Sequence, residues 1–168
     1  TAVEEPELWD GGGRVFDSLR PAIEPAGFAS RDEALLSRAT MAGAFLRSIA
    51  DADAFVFTLG LTEGWENAAT GQAYPMCPGT TAGVFDAGSH VFRNYTYPQI
   101  MADLIAARAI MRRVNPDIRL LLTVSPVPLT ATASGNHVLV ATTYSKSVLR
   151  AVAGDAAAGD DATDYFQI

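Results

Sequence analysis

Apolar residues recur with a helical period in three segments of the chain. The first covers residues 31–50, the second follows Pro98 and ends at Asn115-Pro116, and the third spans about 137–153. Ser30 followed by Glu33 matches a capping box at the start of the first segment. The predicted inner faces are Leu35, Ala39, Ala42, Leu46 and Ile49; Ile100, Leu104, Ala107, Met111 and Val114; and Val138, Ala141, Thr142, Ser145, Val148, Leu149 and Val152.

Short apolar runs between these helices predict strands. Residues 54–59 are apolar on both faces, which is typical of a strand in the middle of a covered parallel sheet, and the run ends at Gly60. Residues 118–124 form a second run, and residues 164–168 open a third after a predicted linker at 154–161. The order α-β-α-β-α-β predicts a parallel sheet flanked by helices, with right-handed crossovers.

Two stretches show no usable period. The first thirty residues are rich in Gly and Pro, and we interpret them as an ordered, extended approach anchored by Trp9, Phe16, Leu19 and Phe28. Residues 62–96 predict a loop of about 35 residues, and loops of that length are commonly lids or binding surfaces.

Composition limits the class of protein. The 168 residues suit one domain, and 12 Lys+Arg against 19 Asp+Glu give a net charge of −7, which disfavours nucleic-acid binding. No apolar stretch approaches the ~20 residues of a membrane-spanning helix. The single Cys77 excludes an internal disulfide framework, no phosphate-binding glycine loop follows a strand, and no signal peptide opens the chain. We therefore expect a soluble, cytoplasmic protein without a metal or cofactor.

Polar residues directly follow the predicted strands, where the ligands of parallel sheets bind. Gly60 lets the backbone approach a ligand closely, and Thr62, Glu63 and Trp65 follow it. One interpretation is a set of donors for a developing oxyanion. The plainer alternative is a glycine turn in which Thr62 and Glu63 cap the next element.

Other residues are weaker candidates. Ser125 lies among prolines without a nucleophile elbow, and a structural turn is the alternative there. His90 and His137 could each act as a base, but a lone histidine is more often structural, and the two lack a third ligand for a metal. Lys146 fits a solvated helix face, and its dyad with Ser145 is poor because adjacent helical residues point in different directions.

Several blocks together resemble the GSCFA domain family. They are residues 13–25; Phe55-Val56-Phe57-Thr58-Leu59-Gly60-Leu61-Thr62-Glu63-Gly64-Trp65; Tyr74-Pro75 with Cys77-Pro78-Gly79; Leu122-Thr123-Val124-Ser125-Pro126-Val127-Pro128-Leu129; and Tyr144-Ser145-Lys146-Ser147-Val148-Leu149-Arg150. The match is collinear over nearly the whole chain, residues 1–168, as a single domain.

This resemblance implies a relation to the SGNH (GDSL-like) hydrolases of bacteria. Their fold is a three-layer α/β/α arrangement with a flavodoxin-like parallel sheet. It implies ester hydrolysis or O-acyl transfer, with carbohydrate or polysaccharide esters among the expected substrates. The oxyanion-binding block of that group falls at residues 60–63, so Thr62 takes the place of an Asn.

The chain also departs from the pattern. The Gly-Ser-Cys-Phe-Ala motif that would hold the nucleophile is absent, and neither histidine completes an Asp-x-x-His. We therefore expect the central part of a longer domain, with an incomplete sheet and without the family's nucleophile and base.

Three hypotheses remain. The first is an SGNH-like acyl hydrolase or acyltransferase of which this chain is a part. The second is a binding or interaction module that keeps the fold and pocket and takes a saccharide or acyl ligand without turnover. The third is a truncation product without independent function, whose exposed sheet edge and apolar surface predict self-association.

Overall fold

The computed structural model describes residues 7–167 and shows a mixed α/β chain. Its elements in chain order are β1 Leu8–Gly11, β2 Arg14–Asp17, α1 Arg31–Asp51, β3 Ala54–Leu59, β4 Glu63–Asn67, β5 Ala73–Tyr74, β6 His90–Asn94, α2 Tyr97–Val114, β7 Arg119–Val124, α3 Val138–Ala158 and β8 Thr163–Tyr165.

The chain divides into two compact units. The first contains the residues up to Phe45 together with Gly64–Phe92, and the second contains Leu46–Glu63 and the residues from Arg93 onward.

A parallel sheet with the strand order β3-β7-β8 is the centre of the second unit. Alternate residues of a strand point to opposite faces, and Leu120, Leu122 and Val124 of β7 are buried on one face. They pack in one cluster with Leu104 of α2 and Leu149 of α3. Both crossover helices therefore cover the same face of the sheet, and the predicted order of helices and parallel strands is confirmed.

The prediction that residues 54–59 lie in the middle of a covered sheet is wrong. Among the strands of residues 7–167, β3 pairs with β7 and forms an edge of its sheet. Val56 is 60% exposed and Phe57 44% exposed. An apolar run indicates a strand with two apolar faces, but its place in the sheet depends on partners far away in sequence.

The helix predictions hold in type and start, with two corrections. α1 begins as predicted, with the Glu33 N–H donating to Ser30 Oγ at 3.2 Å and the Glu33 carboxylate accepting from Ala29 N at 2.7 Å. Of its predicted inner face, however, only Ile49 is buried, and Leu46 is exposed.

α3 is longer than predicted. It continues through the expected small-residue linker as far as Ala158. Alanine has the highest helix propensity, and Val152, Ala153 and Ala156 are buried in the core, which outweighs the cost of Gly154.

The first unit begins with a hairpin that the sequence prediction missed. β1 and β2 pair antiparallel, and the two-residue loop Gly12-Gly13 has φ values of 58° and 76°. These left-handed values match the turns that favour Gly-Gly in hairpins. Trp9 and Phe16 are buried as predicted, whereas Leu19 is 37% exposed and does not anchor the segment.

Residues 62–96 are not one long loop. They contain β4, β5 and β6, which form a second sheet in the order β5-β4-β6. β5 has only two residues, and such short strands carry no periodic signal. In the described part of the chain, no helix is long and apolar enough to cross a membrane.

Candidate functional site

The backbone turns away from the sheet immediately after β3. The last bond of the β3–β7 pairing is donated by Ser125 N to Leu59 O at 2.9 Å. Gly60 and Leu61 then run exposed, and Thr62 is completely buried. The predicted candidates Gly60, Thr62 and Glu63 therefore lie at the carboxyl end of a parallel strand, where ligands bind in such sheets.

Three hydrogen bonds fix Thr62. Its backbone N–H donates to Ser145 Oγ at 2.9 Å, and its carbonyl accepts from Tyr95 N at 2.8 Å. Its hydroxyl donates to Asn94 Oδ1 at 2.7 Å. Thr62 consequently holds the turn in place, and its polar groups are occupied by the protein itself.

Gly60 is not required by the fold. Its φ is outside the left-handed region, and an added Cβ would meet no atom within 4 Å. The N–H groups of Gly60 and Leu61 make no hydrogen bond within the described residues. Two backbone donors and an open face thus remain at a turn that is rigidly held one residue later.

Lys146 on α3 also binds this turn. Its Nζ donates to Gly60 O at 2.8 Å, one residue along the helix from the Ser145 hydroxyl that binds Thr62. Burial lowers the pKa of Lys146 from its ordinary value. Ser145 and Lys146 do not form a dyad, as expected, but both side chains converge on residues 60–62.

Glu63 belongs to a chain of side-chain oxygens. Its carboxylate accepts from Thr132 Oγ1 at 2.7 Å, and Thr132 Oγ1 lies 2.7 Å from Ser134 Oγ. This chain ties the segment after β7 to the segment after β3. In the structure, Glu63 is therefore a link between the two strand ends.

The hydroxyl of Ser125 and the ring of His137 each accept a hydrogen bond from a backbone N–H group. Ser125 Oγ accepts from Val127 N at 3.2 Å in the turn after β7. His137 precedes α3, and its Nδ1 accepts from Leu139 N at 3.2 Å as an N-cap. The predicted structural alternatives fit both residues, because neither side chain is paired as a nucleophile with a base among residues 7–167.

Trp65 and His90 belong to the first unit. The indole of Trp65 contacts Phe85 and Phe92 edge-on, at centroid distances of 5.3 and 5.7 Å. His90 Nδ1 accepts from Asp86 N at 3.1 Å, and its ring packs edge-on against Tyr74. These contacts place both side chains in the aromatic packing of that unit.

Two further kinds of site would be a reactive thiol at Cys77 and a metal centre. Burial raises the pKa of the Cys77 thiol, which favours the unreactive protonated form. No group of His, Cys, Asp and Glu among residues 7–167 could hold a metal ion.

The sequence analysis did not assign three residues to this site that the structure places there: Asn94, Ser145 and Lys146. Ser145 was predicted on the inner face of its helix, which its complete burial confirms, but without its bond to Thr62. One signal was present: Lys146 is the sole lysine among 12 basic residues. The hydrogen bonds of these three residues with the turn at residues 60–62 join positions that are 32 to 86 residues apart, which no local pattern reveals.

The fold is that of a mixed α/β protein, with a candidate site at the turn that follows a parallel strand. A sequence model of the GSCFA family matches residues 5–167, so the chain belongs to the GSCFA family. The resemblance seen in the sequence is thereby confirmed over nearly its whole length. No curated protein and no solved structure matches the chain significantly.

Proposed function

We propose that this chain supplies the oxyanion- and substrate-binding part of an acyl-transfer site, as in SGNH-like ester hydrolases and O-acyltransferases of carbohydrate esters. The observation that carries the proposal is Gly60. Neither φ nor steric crowding requires a glycine at this position, and the N–H groups of residues 60 and 61 make no hydrogen bond within the described residues. Such a position is suited to the close approach of a ligand oxygen.

The fixed position of Thr62 supports this role. Donors that stabilise a developing oxyanion must be in place before the reaction, because reorganisation during the reaction costs energy. Thr62 is completely buried and holds the turn through Ser145, Asn94 and Tyr95. Thr62 then acts as a positioning residue, and the N–H groups of Gly60 and Leu61 face the ligand.

We further propose a three-layer arrangement of the SGNH type. Parallel sheets are normally covered on both faces. Here α2 and α3 cover one face of the parallel sheet, whereas Val56 on the other face is 60% exposed. The parallel order β3-β7-β8 is compatible with a flavodoxin-like sheet.

The experiment compares Gly60→Val with the unchanged sequence in the full-length protein, because residues 1–168 contain neither the family's Gly-Ser-Cys-Phe-Ala motif nor an Asp-x-x-His. The assays are the hydrolysis of 4-nitrophenyl acetate and of an O-acetylated sugar. A valine side chain would occupy the open face, so we expect kcat/KM to fall at least roughly tenfold. Gly154→Ala is the matched control, because its Cβ also meets no atom within 4 Å. Equal activity of both variants would contradict the proposal.

The second candidate is a binding module without turnover on the same turn. It is favoured by the engagement of Ser125 and His137 with backbone N–H groups, which leaves these side chains without a catalytic pairing. It predicts that a saccharide or acyl ligand binds, that Gly60→Val weakens binding, and that no ester is cleaved. A bacterial, cytoplasmic setting stays a prediction from the sequence.

A further inference from the structure

Lys146 is unusual in this chain. All other basic residues are arginines, so a single ammonium group stands against eleven guanidinium groups (12 Lys+Arg minus one Lys). That ammonium lies at the carboxyl end of β3, with Nζ 2.8 Å from Gly60 O. A lysine presents a compact point charge, whereas the planar fork of an arginine suits two acceptors side by side.

The ammonium makes one hydrogen bond to another of residues 7–167. It has three donors, and Gly60 O takes one of them. No carboxylate among residues 7–167 forms a salt bridge with Lys146. By contrast, two arginines of the same unit form salt bridges, Arg112 with Asp160 at 2.6 Å and Arg119 with Asp164 at 3.0 Å.

An incompletely solvated charge without a counter-charge raises the free energy of the folded state. Lys146 is partly buried, and this burial lowers the pKa of its ammonium. An anionic group next to Nζ would compensate this charge and accept the remaining donors. Such a group would lie beside Gly60, whose carbonyl oxygen also binds Nζ.

We propose that Lys146 binds a carboxylate of the ligand, so that the ligand of the strand-end site is an acidic saccharide or its ester. This inference rests on the proposed function and names its substrate class. Lys146 then fixes the orientation of the ligand, while the backbone donors of the turn face the acyl group.

The test exploits the single lysine. Protein labelled with [13C]lysine gives one lysine Cε resonance, which needs no assignment because the chain has one lysine. The protein is titrated with glucuronate and, at matched ionic strength, with glucose, which differs by lacking the carboxylate. We expect a saturable Cε shift and a raised apparent pKa of Lys146 with glucuronate, and neither effect with glucose.

Variants complete the test by calorimetry. Lys146→Met should weaken glucuronate binding at least roughly tenfold, which corresponds to about 1.4 kcal/mol, whereas Lys146→Arg should retain part of it. Arg113→Met is the matched control. It removes one exposed positive charge in the last turn of α2, which leads to the amino end of β7, and should leave binding unchanged.

The contrary outcomes are distinct. A Cε signal that glucuronate does not move, or that glucose moves equally, overturns the inference, and so does an equal loss in Arg113→Met. A shift of the same size with acetate overturns the assignment to a saccharide. The Cε titration uses the unchanged protein, so it remains decisive if Lys146→Met fails to fold. Binding without ester cleavage by the full-length protein would sustain this inference while contradicting the acyl-transfer proposal.

Discussion

Ser145 Oγ on α3 accepts a hydrogen bond from the backbone N–H of Thr62 at 2.9 Å, and both residues are completely buried. The bond joins residues that are 83 positions apart in the chain. It connects the middle of a helix to the turn that follows β3. The position of that turn therefore depends on the docking of α3 against the sheet.

Ser145→Ala should destabilise the second unit. The change leaves the buried N–H of Thr62 without its acceptor, and such a loss costs about 1–3 kcal/mol. We expect the urea midpoint to fall with an unchanged m-value. Ser147→Ala on the exposed side of the same helix is the control and should change stability by less than about 0.5 kcal/mol. Similar losses in both variants would show that the Thr62 bond contributes nothing specific.

Asp160 should make stability depend on pH. The pKa of Asp160 is lowered to about 2, and the largest cause is its hydrogen bonds from Arg112, at 3.0 and 2.6 Å. Because the folded pKa lies below the unfolded value of about 3.9, the stabilisation is present above about pH 4 and is lost between about pH 4 and 2. Asp160→Asn should cost roughly 2 kcal/mol at pH 7, and the difference should vanish near pH 2.

Thermal unfolding of both proteins between pH 2 and 7 measures this difference. Asp164→Asn is the control, since Asp164 pairs with Arg119 at the surface, where the two side chains are 62% and 55% exposed. Exposed pairs contribute about 0–1 kcal/mol. An Asp160→Asn deficit that does not shrink as the pH falls would refute the ionic origin of the effect.

Asp17 should be the most sensitive carboxylate of the first unit. Burial alone would raise the pKa of Asp17, but hydrogen bonds from Arg38, Arg20 and Leu19 N–H outweigh it and lower the pKa. The Asp17 side chain is fully buried. Asp17→Ala leaves two arginines without their partner, and breaking a buried pair costs about 3–5 kcal/mol.

Guanidinium chloride unfolding at pH 7 and at pH 3 measures this loss. Because the folded pKa is depressed, the contribution of Asp17 is present above the unfolded pKa and declines as the pH falls through the folded one. Asp10→Ala, at an exposed position of β1, should be nearly neutral. A loss at Asp17 no larger than that at Asp10 would exclude a structural role of the buried pair.

The edge of β3 that faces away from β7 should allow self-association, since no other strand of residues 7–167 pairs with it. Asp53 O and Leu59 O both bond to β7, so the backbone groups of the even-numbered residues Ala54, Val56 and Thr58 point away from it. A strand edge of this kind, with exposed apolar side chains, is a template for a second copy, and pairing of β3 with β3 is self-complementary.

Sedimentation velocity should show concentration-dependent dimers. Val56→Lys should suppress them by placing a charge on the edge strand. Val127→Lys is the matched control, since Val127 is 65% exposed outside any strand. A monomer at all concentrations, or equal dimerisation in both variants, would contradict the pairing.

The local elements of secondary structure can be predicted from the order of residues alone. The three helices, β3, β7 and β8 follow from periodicity, apolar runs and caps, because these depend on residues within a few positions of one another. The family also follows from collinear blocks of sequence. The hairpin β1–β2 carried a local signal as well, in the Gly12-Gly13 pair.

How these elements pack against one another became apparent from the folded chain alone. The fold placed β3 at an edge, exposed most of the predicted inner face of α1, and built a sheet from β4, β5 and β6. It also brought Asn94, Ser145 and Lys146 to the turn at Gly60 and Thr62. Such positions depend on pairing and packing between residues far apart in the chain, whose free energies no local pattern of apolar and polar residues encodes.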